Sequence, residues 1–306
     1  MICNRLKDIL FSYRYDVVFL QKGILPFQLK WFEHLLFLCN SNVIFDFDDA
    51  VHLFPVESFQ HLPLKLLEDR EQIMKIIRRA KFVIAGNDRL KKDVESINPN
   101  TVVIPTPVDT DYYEVNQEKY QNKRCIRILW SGNRSGHNQL NYCAETIEKL
   151  SKKYDIEFIL LSDSSEGIDR RFYEGKLKFL KWSLKNEKKA FGMADIGIMI
   201  LDDTLWDRRK CGFKALLYMA NGIPVVSSPV GVIKNIIKDG INGFFANNHD
   251  EWFEKLELLI QNPSLRRKIG LKGRETVEKY FSLRYWAGEL VKVIEKTARM
   301  SNEKNI

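Results

Sequence analysis

"RRKCGFKALLYMANGIPVV", residues 208–226, holds a helical pattern and then a strand pattern. The apolar spacing in "CGFKALLYMANG" predicts a short helix from about Gly212 to Asn221. Asn221-Gly222 ends it, because glycine accepts the left-handed C-terminal conformation, and Pro224 blocks continuation. The β-branched run "IPVVSS" (223–228) then reads as a buried strand. Upstream, "DIGIMIL" (195–201) is another such run, followed by the loop "DDTLWDRRK". Strand, loop, helix and strand in that order make one unit of a parallel sheet.

The same alternation extends along the chain of 306 residues. Strand-like runs occur at 16–20, 42–47, 81–86 and 101–105, then at 126–132, 156–162, 177–180, 195–201, 223–228 and 242–247. Continuous apolar runs bounded by turn residues suit strands covered on both faces. The fold class is therefore α/β with two Rossmann-like, doubly wound parallel-sheet domains facing a cleft. The expected boundaries are 1–110 for a first domain, 111–124 for a linker and 125–281 for a second domain. A C-terminal helix at 282–306 is expected to cross back to the first domain. Pro105 and Pro107, followed by polar and charged residues, mark the linker.

Bulk composition narrows the function. At 45% hydrophobic and 29% charged the chain is globular in type. It contains no 18-residue uncharged apolar run, so no membrane span is expected. The opening "MICNRLKDILFSYRYD" is interrupted by charges every few residues, unlike a signal peptide. Five cysteines without metal-ligand spacing suit a reducing, cytoplasmic setting. The formal charge of +8 permits attraction to phosphate groups. Without any recognition motif it does not argue for nucleic acid.

Three loops at strand ends carry the candidate chemistry. "LWSGNRSGHNQL" (129–140) places Gly132, Gly136 and Arg134 where a backbone can approach an anion. The predicted helix of 212–221 begins beside Arg208, Arg209, Lys210 and Lys214. Such a cluster opposes the helix macrodipole, so it needs either an anionic ligand or a carboxylate partner. Asp202, Asp203 and Asp207 are the candidate partners. "SSPVGVIK" offers Ser227, Ser228 and Gly231 as a third loop opening a helix.

In their order these segments resemble the retaining GT-B glycosyltransferases of the group 1, or family 4, type. The matching stretches are "FVIAGNDRLKKDV", "VVIPTPVDTDYY", "ILWSGN", "ADIGIMIL", "GFKALLYMANGIPVVSSPVG", "IKDGINGFF" and "RETVEKYFSLRYWAGEL". The resemblance implies that the second domain binds a nucleotide-sugar donor and the first a saccharide or lipid-linked acceptor. No metal or other cofactor is implied, since helix starts and basic residues neutralise the diphosphate. It assigns donor binding to Gly132, Asn133, Arg134, Lys210, Gly212, Phe213, Lys214, Ser228 and Gly231. A basic residue that the family carries shortly after the first has no clear match, and Lys210 or Lys214 is the candidate replacement.

The family's acidic pair is altered as well. Its two positions fall at Arg209 and Leu217. Leucine cannot accept a hydrogen bond from a ribose hydroxyl, and the loss would weaken donor binding by roughly 1–3 kcal/mol. The departure suggests a changed donor mode.

In the first half, "IFDFDDAVH" (44–52) ends a strand in carboxylates. Family members often place a histidine there to contact the sugar. Asp48 is nearest that position, and with Asp49 it is the candidate catalytic pair. Asp46 and Asp48 share one side of an extended chain, with Asp49 opposite. A carboxylate there would meet sugar hydroxyls or positive charge developing at the anomeric carbon. The alternative is a cluster that caps the loop. Only about four strand runs precede the linker, so the first domain reads as shortened. That would leave an exposed edge near Val17–Leu20, completed by a protein partner or by nothing.

The expected function is sugar transfer with retention, in cell-surface polysaccharide or glycolipid synthesis. The alternative is a non-catalytic or truncated homologue that supports a partner transferase. "QLKWFEHLLFL" (28–38) suggests either peripheral contact with the inner face of the cell membrane or a helix packed on the sheet.

Overall fold

The computed structural model describes residues 2–25, 29, 31–53, 69–121 and 123–302. The chain divides into two compact units. The first comprises residues 1–106, the short segment Arg209–Cys211 and residues 284–306. The second comprises 107–208 and 212–283. The stretch 111–124, read from sequence as a linker, thus groups with the second unit. Within that unit Lys119 is fully buried, its ammonium donating to the Asn221 carbonyl at 2.8 Å. The final helix groups with the first unit.

The first unit holds strands β1 (Val18–Gln21), β2 (Val43–Phe47), β3 (Phe82–Ala85) and β4 (Thr101–Val103). All pairings are parallel, in the order β1-β2-β3-β4. Helices α1 (Ile2–Leu10), α2 (Phe32–Cys39), α3 (Gln72–Arg79) and α4 (Asp88–Val94) belong to this unit, as does α12 (Leu283–Asn302) from Arg284 on. One face of the sheet, with Phe45, Phe47 and Val83, packs against Ile9, Leu36, Phe37, Ile76 and Ile77. The other, with Ile44, Phe82 and Ile84, meets Leu290, Val293 and Ile294 of α12. Covering both faces explains why these strands read as unbroken apolar runs.

The second unit contains β5 (Ile126–Ser131), β6 (Ile156–Ser162), β7 (Lys178–Lys181), β8 (Ile196–Met199), β9 (Val225–Ser227) and β10 (Phe244–Phe245). They form one parallel sheet in the order β10-β9-β8-β5-β6-β7. Its helices are α5 (His137–Asn141), α6 (Ala144–Lys153), α7 (Leu184–Met193), α8 (Phe213–Ala220), α9 (Ile233–Ile236), α10 (His249–Gln261) and α11 (Pro263–Tyr280). Strand β5 pairs with β6 on one side and with β8 on the other. The connections leave in opposite directions there, which opens a crevice at the carboxyl ends of β5 and β8.

All ten strand runs expected from the sequence are strands. The helix expected at 212–221 is α8. It ends at Asn221 and Gly222, the latter at φ +66°. No helix among the described residues is long and apolar enough to cross a membrane. In the segment 28–38, α2 buries Glu33, Leu36 and Phe37 against the first unit's core and leaves Trp31 and Leu38 exposed. Gln28 and Lys30 lie outside the described residues.

Candidate functional site

In the second unit the crevice between β5 and β8 brings two expected donor residues together. The Lys214 ammonium, on the first turn of α8, lies 4.5 Å from the Trp130 ring centroid. It also fills the space where a side chain at Gly132 would begin. A Cβ added at Gly132 would come 2.5 Å from Lys214 Nζ and would strike the Trp130 indole. Glycine at 132 thus leaves room for the Lys214 ammonium and the Trp130 indole to lie against the loop after β5. Gly212, at φ +71°, caps α8 in the left-handed conformation. A Cβ there would also crowd Ile233 and Ile236.

The second half of α8 anchors this arrangement. Tyr218 is buried, and the Ser131 amide donates to its hydroxyl at 2.9 Å. Its ring fills the space above Gly197, where any side chain would collide with it. Leu217 is buried in the core, so the position at which the sequence lacks an acid faces apolar neighbours. Tyr218 was not identified from sequence, although it adjoins Leu217. Its role depends on a partner 87 residues away.

The third loop lies beside a cleft of about 390 Å³, lined by Leu201, Asp202, Asp203, Ser228, Val230 and Tyr142 among others. The Leu201 amide donates to Ser228 Oγ at 3.1 Å. Gly231, at φ +58°, lies against the Arg208 backbone with no room for a Cβ. The helix it opens, α9, is a single turn of four residues. So short a helix carries less of a macrodipole than the longer helix start expected from the sequence.

The loop after β5 also has polar partners within its own unit. The Arg134 amide already has an anion, donating to Asp163 Oδ1 at 2.7 Å. That bond is the main reason the Asp163 carboxyl sits below its ordinary pKa. The Arg134 guanidinium pairs with Glu166 at 2.6 Å on the exposed surface. Asn133 accepts from Ser135 Oγ at 2.7 Å, and Phe213 is exposed at the start of α8. Beneath this loop His137 is buried, with its ring nitrogens 2.8 Å from the Glu166 carbonyl and 3.1 Å from Ser162 Oγ. His137 thus ties the loop after β5 to the end of β6, a role with no local sequence signal.

The basic run 208–210 divides. Arg208 pairs with Asp203, Nε to Oδ1 at 2.6 Å and Nη2 to Oδ2 at 2.7 Å. Arg209, Lys210 and Cys211 group with the first unit. There Arg209 makes a two-pronged contact with Asp93, with Nη2 2.8 Å from Oδ1. Asp93, outside the set of aspartates expected from sequence, is thus its partner. Asp93 Oδ2 also lies 3.1 Å from Nε2 of the buried His52. Burial pushes the His52 pKa down, and Arg209 adds to this against the pull of Asp93. Burial works to raise the Asp93 pKa, but Arg209 and His52 outweigh it and hold it below the ordinary value.

In the first unit the Asp48 and Asp49 carboxylates converge. Lys22 Nζ lies 2.7 Å from Asp48 Oδ1 and 2.9 Å from Asp49 Oδ2. The chain turns after Phe47, so strand alternation no longer separates the two side chains. Lys22 follows β1 with φ +60°, and it lies beside the end of the adjacent strand β2, after which Asp48 and Asp49 come. Burial works against its charge, yet the bonds to Asp48 and Asp49 hold its pKa above the ordinary range. Asp46, one turn of the pleat earlier, accepts from Gln21 at 3.1 Å. Burial pushes its pKa up to about 6, with help from Asp48. Cys211 Sγ donates to the Asp48 carbonyl at 3.0 Å and accepts from Asn87 Nδ2 at 3.2 Å. Lys22 and Cys211 were both missed by sequence reasoning, since each meets Asp48 only through the fold.

Residues 125–262 match the family model of the group 1 glycosyl transferases. The matched segment begins at β5 and contains the whole Gly132–Lys214 arrangement. The chain is similar to part of an uncharacterized glycosyltransferase of Methanocaldococcus jannaschii, 29% identical over 140 residues, or 40% of this chain and 39% of that protein. It is also similar to part of trehalose synthase from Pyrococcus horikoshii, 38% identical over 140 residues, or 46% of this chain and 28% of that protein. The chain spans well under half the length of these curated relatives. Among solved structures, Anabaena HepE in complex with UDP and glucose superposes with a TM-score of 0.71 at 15% identity, covering 95% of this chain and 81% of that one. A glycosyltransferase from Rickettsia africae gives 0.68 at 19% identity, covering 97% and 81%. The α/β class with two parallel sheets, expected as GT-B, is the fold these structures share.

Proposed function

We propose that the chain is a glycosyltransferase that takes a sugar from a nucleoside-diphosphate donor. The observation that carries this reading is the Lys214 ammonium held against Gly132 at the switch point of the second sheet. A cation beside a side-chain-free strand-end loop is suited to a diphosphate, whose charge needs neutralising as the sugar leaves. The group 1 match over 125–262 covers the same segment and supports this reading. The structural neighbour HepE, crystallised with UDP and glucose, makes UDP the first donor nucleotide to try.

In this reading Lys214, the Gly132 loop, Gly212 and Ser228 serve the diphosphate and sugar. Asp48 and Asp49 supply carboxylates for sugar hydroxyls or for charge at the anomeric carbon. The acceptor is a saccharide or lipid-linked saccharide, transfer proceeds with retention, and the product belongs to cell-surface polysaccharide or glycolipid. The test is calorimetric titration with a panel of nucleoside diphosphates, then transfer assays with the matching nucleotide sugars. Binding of none of them would sink the donor-site assignment.

The second reading is a non-catalytic subunit that supports a partner transferase. It is favoured by Leu217, which leaves no carboxylate at the ribose-binding position. Transfer by the isolated chain would exclude it.

A further inference from the structure

Helix α1 lies mostly exposed on the first unit. Of its residues only Ile9 is buried. Ile2, Leu6 and Leu10 recur every fourth position and are 42%, 37% and 47% exposed. That spacing sets them in one stripe along the helix. The stripe runs on into Phe11, Tyr13 and Tyr15, all exposed. A row of large apolar groups on a one-sided helix is costly to leave in water.

Cations border the row. Arg14 lies 4.7 Å from the Phe11 ring centroid, and Arg5 and Lys7 project from α1 itself. Asp8 is the sole acid of α1 and is paired with Arg5 at 3.5 Å. At the two ends of the neighbouring helix α2, Trp31 and Leu38 are exposed as well. Asn40, at the end of α2, donates to the Ser12 and Tyr15 carbonyls at 2.8 Å and fixes the two segments to each other.

We propose that this α1–α2 face docks on an anionic lipid bilayer. An apolar stripe flanked by cations and by Tyr and Trp is the pattern of a helix lying in the membrane interface. Charge complementarity decides between a bilayer and a second copy of the chain. Self-pairing across a two-fold axis would set like cations against each other, and each copy carries a formal charge of +8. An anionic headgroup layer would instead neutralise Arg5, Lys7 and Arg14 while the stripe enters the acyl boundary.

The test is co-sedimentation of the full chain with phosphatidylcholine vesicles and with an equimolar phosphatidylcholine–phosphatidylglycerol mixture. The mixed vesicles are expected to bind at least about tenfold more protein, and added salt should weaken that binding. The double variant Leu6→Glu/Leu10→Glu should lose most of it while keeping the wild-type far-ultraviolet circular dichroism spectrum. Lys7→Gln/Arg14→Gln should reduce binding several-fold on the mixed vesicles alone. Equal binding to both vesicle types, no binding to either, or wild-type binding by the double glutamate variant would each overturn the proposal. So would a dimer in sedimentation velocity that Leu6→Glu/Leu10→Glu dissolves, because the face would then belong to a second copy.

Discussion

The ammonium of Lys214 rests over the Trp130 ring and occupies the volume that a side chain at Gly132 would need. One residue from the start of α8 and one from the loop after β5 thus share a single small space. If the proposed donor site is right, both are needed for the diphosphate. Lys214→Met should weaken nucleoside-diphosphate binding about 10–100-fold, as expected for loss of a charge-assisted contact. Gly132→Ala should weaken it similarly by pushing the ammonium aside. Calorimetry would show this, and wild-type affinity in both variants would refute the assignment.

The carboxylate pair makes a separate prediction. Lys22 holds Asp48 and Asp49 together by two ion pairs. Asp48→Asn should reduce sugar transfer about 100–1,000-fold, the size seen when one preorganised electrostatic group is removed. Lys22→Met should reduce it less, because the carboxylates remain but are no longer held in place. Nucleoside-diphosphate affinity should stay unchanged in both. Transfer by Asp48→Asn within about threefold of wild type would return Asp48 to a loop-capping role.

Much of the fold was legible because burial on both faces writes each strand as an uninterrupted apolar run. The runs at 126–132 and 156–162 needed no tertiary information to be recognised as β5 and β6. Gly212, Gly222 and Gly231 were legible too, as punctuation, and each has the positive φ that favours glycine. What could not be read were pairs formed across long separations. Arg209 meets Asp93 from 116 residues away, and Tyr218 meets the Ser131 amide from 87. The nearby Asp202, Asp203 and Asp207 were the natural candidates to balance the basic run, and Asp203 does pair with it, through Arg208. The convergence of Asp48 and Asp49 on Lys22 was hidden for another reason. Strand alternation holds to Phe47 and lapses where the chain turns.

The His52–Asp93–Arg209 cluster predicts acid lability in the first unit. The folded His52 pKa lies below its unfolded value of 6.5, so the folded state prefers the neutral ring. Its contribution is complete above about pH 6.5 and is lost as pH falls through the folded pKa. Asp93 is shifted below 3.8, so its contribution persists above that value and fails below it. Relative to His52→Gln, the wild-type urea midpoint should therefore fall as pH drops below about 6.5, and a second decline, common to both, should follow below about 4. His52→Gln should flatten the first decline and leave the second. Parallel curves for the variant and wild type would refute this assignment.

Asp46 titrates in the opposite sense. Burial raises its folded pKa to about 6 from 3.8, so the protonated form is the one the fold prefers. Its contribution is complete below about pH 4 and is lost as pH rises through about 6. Between those values the Asp46 and His52 effects oppose each other in the wild-type protein. Asp46→Asn removes one of them, so the variant's urea midpoint should gain on wild type as pH rises from 4 to 7. A constant difference across that range would show that Asp46 ionises in the folded protein as it does in the unfolded chain.

Tyr218 offers the sharpest test of how α8 is anchored to the sheet. Its ring fills the space above Gly197, and its hydroxyl accepts from the Ser131 amide at the end of β5. Tyr218→Phe keeps the ring and removes only the oxygen. The buried Ser131 amide would then lack its acceptor, at a cost of about 1–3 kcal/mol. A domain of this size would show a melting temperature lower by roughly 2–10 °C. Because Ser131 immediately precedes Gly132, the same change should loosen the loop that Lys214 contacts. Nucleoside-diphosphate affinity should therefore fall along with stability. Gly197→Ala provides the converse case, since its methyl group would displace the ring and disturb the same bond. A Tyr218→Phe protein with unaltered melting and unaltered nucleotide affinity would mean that the Ser131 amide finds another acceptor and that α8 is held by packing alone.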